Sequence, residues 1–162
     1  SKFSTNQMKT ISLKSMDTEE LTRFLKTRIP SLKFAVTSAD RLPKSRIRKP
    51  AALIVNTDPS AQPGRHWVCF YFPKRGPAEF FDSMGHSPEF YHRNFRNLLI
   101  VNGPVYLHNT KRLQDYNSPH CGEYCLYFLW QRERGVKYSD WIKKFGDNYA
   151  INDARMLERI LK

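Results

Sequence analysis

Gln114-Asp-Tyr-Asn-Ser-Pro-His-Cys121-Gly-Glu-Tyr-Cys-Leu-Tyr-Phe-Leu-Trp130 passes from a polar, turn-prone segment straight into a run that is apolar or aromatic nearly all the way round. Such a run reads as a helix buried on every side. Pro119 is tolerated at the entrance of a helix but not inside one, and Gly135 after Gln131-Arg-Glu-Arg134 supplies a stop. Cys121 therefore falls on the first turn of a central helix. Unpaired backbone N–H groups there carry roughly half a positive charge, which favours a thiolate and would stabilise an oxyanion formed beside it. A nucleophilic cysteine fits that position. Cys125, one turn further on, reads as a small core residue. A metal site made of His108, His120, Cys121 and Cys125 is a third reading, against which stand the awkward adjacency of His120 and Cys121 and the absence of a CxxC pair.

The chain of 162 residues is long enough for one domain with a core of its own. The expected division is a polar N-terminal arm, 1–16, and a single domain, 17–162. Phe, Tyr and Trp make up 14% of the sequence, which argues against disorder. No apolar run reaches the roughly 18 residues of a membrane span, and Ser1-Lys-Phe-Ser-Thr-Asn-Gln7 lacks the apolar core of a signal peptide. A soluble intracellular protein, not secreted and with no membrane partner, is expected. Three cysteines, two of them in one helix, make no disulfide framework, so the thiols should be free in a reducing compartment.

Lys and Arg number 27 against 15 Asp and Glu, a formal charge of +12. The densest run is Lys44-Ser-Arg-Ile-Arg-Lys49, to which no specific role attaches, with further pairs at Lys74-Arg75, Lys111-Arg112 and Lys143-Lys144. Such an excess points to a polyanion partner, nucleic acid first. A merely soluble surface is the alternative, and no aromatic-basic nucleic-acid motif accompanies the charge.

Along the chain, Asp17-Thr-Glu-Glu20 is a capping box and Leu21, Phe24 and Leu25 form an apolar stripe, predicting a helix over about 18–28 before Pro30. Ser38 to Pro50 is basic and punctuated by proline, hence a surface loop. Ala51-Ala-Leu-Ile-Val-Asn56 reads as a buried strand. Ser87-Pro88-Glu89 opens a helix with Phe90, Tyr91, Phe95, Leu98 and Leu99 on its core side, and His86 and His92 read as surface histidines. Val105–His108 is a short strand, and helices follow at about 139–145 and 152–161.

The second informative stretch is a hairpin. His66-Trp-Val-Cys-Phe-Tyr-Phe72 is a strand by its aromatic and β-branched content, Pro73-Lys-Arg-Gly-Pro77 a turn, and Ala78-Glu-Phe-Phe-Asp82 the returning strand. With Phe72 opposite Ala78, Asp82 lies opposite Val68. His66, Val68 and Asp82 then share a face, His66 and Asp82 being diagonal neighbours roughly 7 Å apart. An acid that fixes the tautomer of a base is what activation of a nucleophile needs. The fold class expected is α+β: a small mixed or antiparallel sheet flanked by helices, the central buried one carrying the nucleophile.

In its ordered His66, Asp82, Gln114 and Cys121 the sequence resembles the adenovirus maturation proteases (adenains) and, more distantly, the ubiquitin-like-protein (SUMO) proteases. The likeness is carried by Leu53-Ile-Val-Asn-Thr57, Gly64-Arg-His-Trp67, Phe80-Phe-Asp-Ser-Met-Gly85 and Gln114-x6-Cys121-Gly-x-Tyr-Cys125, and covers about residues 17–145. It implies His66 as general base, Asp82 as the acid orienting it, Cys121 as nucleophile and Gln114 as part of the oxyanion hole, on a fold of the adenain type. The acid here is Asp where mammalian adenovirus enzymes tend to use Glu. No cysteine lies between Cys69 and Cys121, where the adenovirus enzyme has one that bonds its peptide cofactor, so any peptide activator would bind without a disulfide. Papain-like enzymes are set apart by their opposite order, cysteine before histidine.

The resemblance implies a thiol endopeptidase cleaving viral or mobile-element structural precursors during virion maturation, in the host nucleus or virion. It also implies DNA as a partner; no metal or organic cofactor, and a monomer, are expected. Trp67, next to His66, resembles the tryptophan that narrows the substrate channel in the related SUMO proteases, which implies glycine before the scissile bond. Three alternatives stand beside this reading: a deconjugating protease for a ubiquitin-like modifier, an acetyltransferase effector with the same His-acid-Cys order, and an inactive nucleic-acid-binding module. The first two share a thioester intermediate with it, and the third would predict a degraded triad.

Overall fold

The computed structural model describes residues 15–58 and 66–162. Asp17 opens the first helix, α1 (Thr18–Arg28): its carboxylate accepts from the Glu20 amide at 2.9 Å while Glu20 reaches back to the Asp17 amide at 3.3 Å. Both arms of the capping box are made, which satisfies two otherwise orphaned donors. Of the polar arm expected over 1–16, all but the last two residues lie outside the described ones. Met16 is not part of a loose arm, since it packs against the core and its carbonyl accepts from the indole N–H of Trp67 at 3.0 Å.

Five strands form one mixed sheet in the order β1 to β5: β1 (Lys33–Ser38), β2 (Ala51–Asn56), β3 (Trp67–Phe72), β4 (Ala78–Phe81) and β5 (Tyr106–His108). The outer pairs, β1 with β2 and β4 with β5, are parallel, and the inner ones antiparallel. The β3–β4 register, Cys69 opposite Phe81 and Phe70 opposite Phe80, is the one that sets Phe72 against Ala78. Strand β1 escaped the sequence reading. Its Lys33-Phe-Ala-Val-Thr-Ser38 is a half-exposed edge without a turn-bounded apolar run, and its loop begins only after Ser38, with a short 3₁₀ turn over Ala39–Arg41.

Alternation divides the sheet into two faces. Ala52, Ile54, Trp67, Cys69, Tyr71 and Phe81 pack toward the helices α1, α3 (Cys121–Glu133), α4 (Tyr138–Lys143) and α5 (Tyr149–Ile160). Leu53, Val55, Val68, Phe70, Phe72 and Phe80 pack toward Phe95, Leu98 and Leu99 of α2 (Arg93–Val101). Helix α3 is buried continuously from Cys121 to Leu129, as its all-round apolar sequence requires. Cys125 sits in that core with no exposure, as a structural cysteine should. The helix predicted from Ser87 is broken in two: Pro88–Phe90 is a 3₁₀ turn and α2 starts only at Arg93, so Phe90 is exposed rather than core-facing. His92 caps α2, accepting from the Asn94 amide at 3.2 Å. Among the described residues no helix is long and apolar enough to cross a membrane.

Arg132, on the last turn of α3, fixes that helix to the sheet by a two-pronged bond to the buried carboxylate of Glu79 on β4, at 2.8 and 2.5 Å. Removing one partner of a buried pair strands the other charge. Arg132→Ala is therefore expected to destabilise the fold by about 3–5 kcal/mol, read as a lower urea midpoint at unchanged slope, whereas Glu79→Gln with Arg132→Met together should cost much less.

Candidate active site

His66 stands just before β3, where its carbonyl accepts from the Thr57 amide at 2.9 Å and continues the β2–β3 ladder by one bond. Asp82 stands just after β4. Its backbone is clamped on both sides by one side chain: Asn109 Oδ1 accepts from the Asp82 amide at 3.0 Å, and Asn109 Nδ2 donates to the Asp82 carbonyl at 2.6 Å. The register and the clamp bring the two side chains together at the end of the sheet, His66 Nε2 lying 2.6 Å from Asp82 Oδ1. The same oxygen accepts from the Met84 amide at 2.9 Å, while Oδ2 accepts from the Tyr91 hydroxyl at 2.5 Å. Asp82 is wholly buried and His66 is slightly exposed.

Cys121 is the first residue of α3 and is buried. Its Sγ receives the Trp67 backbone N–H at 3.3 Å. Nε2 of His66 is taken by Asp82, which leaves Nδ1 as the ring nitrogen available to a second partner, and Cys121 lies near enough to act on the imidazole. Burial alone would hold the imidazole of His66 down. The hydrogen bonds to Asp82 and Cys121, together with their charges, outweigh it and push the group up to about 10. The surroundings of His66 thus favour its protonated form. Full burial drives the thiols of Cys69 and Cys125 well above the ordinary range, which keeps them inert.

Glycine at two positions eases the approach. At Gly122 a Cβ would stand 3.2 Å from Leu21 and 3.3 Å from the Trp67 ring, a tight fit that would push α1 or the indole back by a few tenths of an ångström from the start of α3. At Gly85 φ is +79°, and a Cβ would meet the Thr110 carbonyl and the Arg112 amide at 2.8 Å. That turn after Asp82 packs directly on the strand-to-helix loop.

Gln114 lies on this loop, buried. Its Oε1 accepts from the Ser83 hydroxyl at 2.5 Å and its Nε2 donates to the Ser118 carbonyl at 2.6 Å, while Ser83 O accepts the amides of Leu113 and Gln114. One amide proton of the carboxamide remains. Arg112 braces the same loop, donating to the Gln114 carbonyl at 2.8 Å with its guanidinium 3.6 Å from the ring centre of Tyr116 and 4.0 Å from that of Tyr149.

Trp67 belongs to the face of Cys121, packed in the core with its indole N–H tied to Met16. The alternation that turns it from the His66 side therefore turns it toward the sulfur. His86, expected on the surface, lies beside the acid: its Nδ1 is 3.8 Å from Asp82 Oδ2 and its ring stacks on Phe90 at 3.9 Å. His120 pairs instead with Glu123 at 2.5 Å. No group of three or more His, Cys, Asp or Glu among the described residues could hold a metal ion. Sequence reasoning missed Asn109, Ser83 and Tyr91 in their site roles. Polar Asn109 directly after the β5 stretch was the signal available for the clamp; Tyr91 looked like one more core aromatic.

The chain is similar to cysteine proteases of African swine fever virus. The cysteine protease S273R of isolate Tick/Malawi/Lil 20-1/1983 is 32% identical over 103 residues, covering 55% of this chain and 36% of that protein. The SUMO-1 cysteine protease S273R of isolate Warthog/Namibia/Wart80/1980 is 31% identical over the same length. Among solved structures, the selenomethionine crystal form of the African swine fever virus pS273R protease matches 68% of this chain and 45% of its own, at 26% identity and a TM-score of 0.43. The chain spans 36% of the length of the curated relatives it matches. No family model matches it.

Proposed function

We propose that this chain carries the catalytic machinery of a cysteine protease of the adenain and SUMO-protease kind, cleaving protein substrates through a thioester on Cys121. The observation that carries the reading is His66 bonded to buried Asp82 at 2.6 Å, with the amide of its neighbour Trp67 on the sulfur of Cys121 at the head of a buried helix. The viral cysteine protease relatives support the same class. In the proposed cycle the Cys121 sulfur attacks the scissile carbonyl. His66 gives its proton to the leaving amine, then takes one from the water that hydrolyses the thioester. The first-turn N–H groups of α3 and the free amide proton of Gln114 would face the oxyanion.

Precursor cleavage during virion maturation, at glycine-containing sites, is the substrate reading we favour, with Trp67 narrowing the approach to the sulfur. The printed name SUMO-1 cysteine protease of several relatives favours a ubiquitin-like modifier as the second reading. A polyanion such as DNA on the basic surface, and a peptide activator bound without a disulfide, complete the proposal for action in the host nucleus or virion. The three cysteines are all buried. The test is intact-mass analysis of the chain with a Gly-x-Gly precursor peptide, with a SUMO-type fusion and with acetyl-coenzyme A, each with and without DNA. Cleaved peptide is the expected result. Cleavage only after the modifier selects the second reading, and acetylation without hydrolysis refutes both.

Gln114→Ala is expected to lower kcat by roughly 10²–10³-fold, the usual loss for one oxyanion donor. An effect below about threefold would leave Gln114 as a loop-bracing residue that holds Ser83 and Ser118.

A further inference from the structure

Asp82 has two oxygens, and they face different company. Oδ1 serves His66 and the Met84 amide. Oδ2 faces Tyr91, whose hydroxyl donates at 2.5 Å, and His86, whose Nδ1 stands at 3.8 Å. That nitrogen is closed off from solvent and has no hydrogen-bond partner among the described residues. Two donors therefore border one carboxylate oxygen, and only the phenol is engaged.

We propose that Tyr91 is a positioning residue of the active site: by holding Oδ2 it fixes the plane of the Asp82 carboxylate, keeps His86 off it and reserves Oδ1 for His66. The inference rests on the protease reading for its catalytic consequence, but not for its geometry. Tyr91 suits the task for three reasons. Its ring is anchored between Phe80 and Phe95, with centroids at 6.3 and 5.5 Å, so the hydroxyl is presented from a rigid base. It sits in the break between the Pro88–Phe90 turn and α2, where an unbroken helix would have carried the side chain elsewhere. Burial and the Asp82 charge push its hydroxyl far up, so it stays a donor at any working pH.

A fully buried carboxylate does not readily replace a lost donor with solvent. With the phenol gone, Oδ2 turns to the waiting His86 and Oδ1 turns away from His66. The substitution to use is Tyr91→Phe, which leaves the ring packing in place. Two measurements decide it: steady-state cleavage of the substrate found above, and an NMR titration of the His66 ring, assigned by its loss in His66→Gln. The expected outcome is a kcat lower by about tenfold, as for a hydrogen bond to a charged group, with KM within about twofold. The His66 titration should move down from the high value of the intact site toward the ordinary histidine range. A purely structural phenol would lower thermal stability without moving that titration. A titration left in place, or a kcat within about twofold of the parent, overturns the proposal. If the parent chain cleaves nothing, the protease reading fails by itself, and the titration still decides for or against Tyr91.

Discussion

Cys121→Ala is expected to abolish cleavage while the protein stays folded. The expected loss is at least about 10⁴-fold, because a nucleophile that acts as one unit with its base leaves only binding and oxyanion contributions when removed. The cost to the fold is small. Truncating the buried thiol opens a methyl-sized gap worth about 1–2 kcal/mol, and the Trp67 amide that pointed at Sγ loses one weak acceptor. Cys125→Ala makes the comparison sharp. It removes a thiol of the same size from the same helix, one turn away and equally enclosed, so its effect on the melting temperature should be similar and its effect on turnover slight. Measuring both variants by calorimetry and by substrate cleavage separates chemistry from packing. Cleavage by Cys121→Ala at more than about one hundredth of the parent rate would remove the thioester from the mechanism.

The two features of this site that sequence could carry are those set by local periodicity. An all-round apolar run after a proline places Cys121 at the head of a buried helix, and the alternation of aromatic residues on two strands sets the register that joins His66 to Asp82. What periodicity does not encode is which long-range contacts brace such residues. Asn109 clamps the backbone of Asp82 from beyond the neighbouring strand, and Tyr91 reaches it from a break between two helical turns. Both depend on tertiary placement. The edge strand β1 was hidden for a related reason: it is paired on one side and half exposed, so neither a buried run nor strict alternation marks it. Phe90 was assigned to the core on a continuous-helix assumption that the turn at Pro88–Phe90 breaks, and it stacks on His86 at the site's rim instead. The position of Trp67 follows from the same strand alternation, which sends it to the Cys121 face while its neighbour His66 reaches round the end of the sheet.

Asp82→Asn should be the second most damaging change, and its signature is a displaced pH profile. The isostere can keep most of the geometry: its carbonyl oxygen can take the place of Oδ1, accepting from His66 and Met84, while the amide group faces the Tyr91 oxygen. What it cannot supply is charge. In the parent, Asp82 and Cys121 together hold the His66 proton up to about 10 against a burial effect of opposite sign. Without the carboxylate charge, burial opposes the imidazolium with less resistance, and the His66 titration should fall well below its parent value. The proton that the leaving amine needs is then absent at neutral pH. A loss of about 10⁴-fold in kcat is expected, with the alkaline limb of the rate profile moving from about 10 in the parent to a much lower pH. Stability should follow the same logic. A histidine whose folded value is raised from 6.5 to about 10 contributes stabilisation that is complete below 6.5 and disappears as pH rises to 10. Parent stability should therefore decline across that window, and the His66 share of the decline should be absent in Asp82→Asn. Urea unfolding at a series of pH values and a matching rate profile test both halves. An alkaline limb that stays where it was in the variant would mean that another group, and not the Asp82 carboxylate, holds the proton on His66.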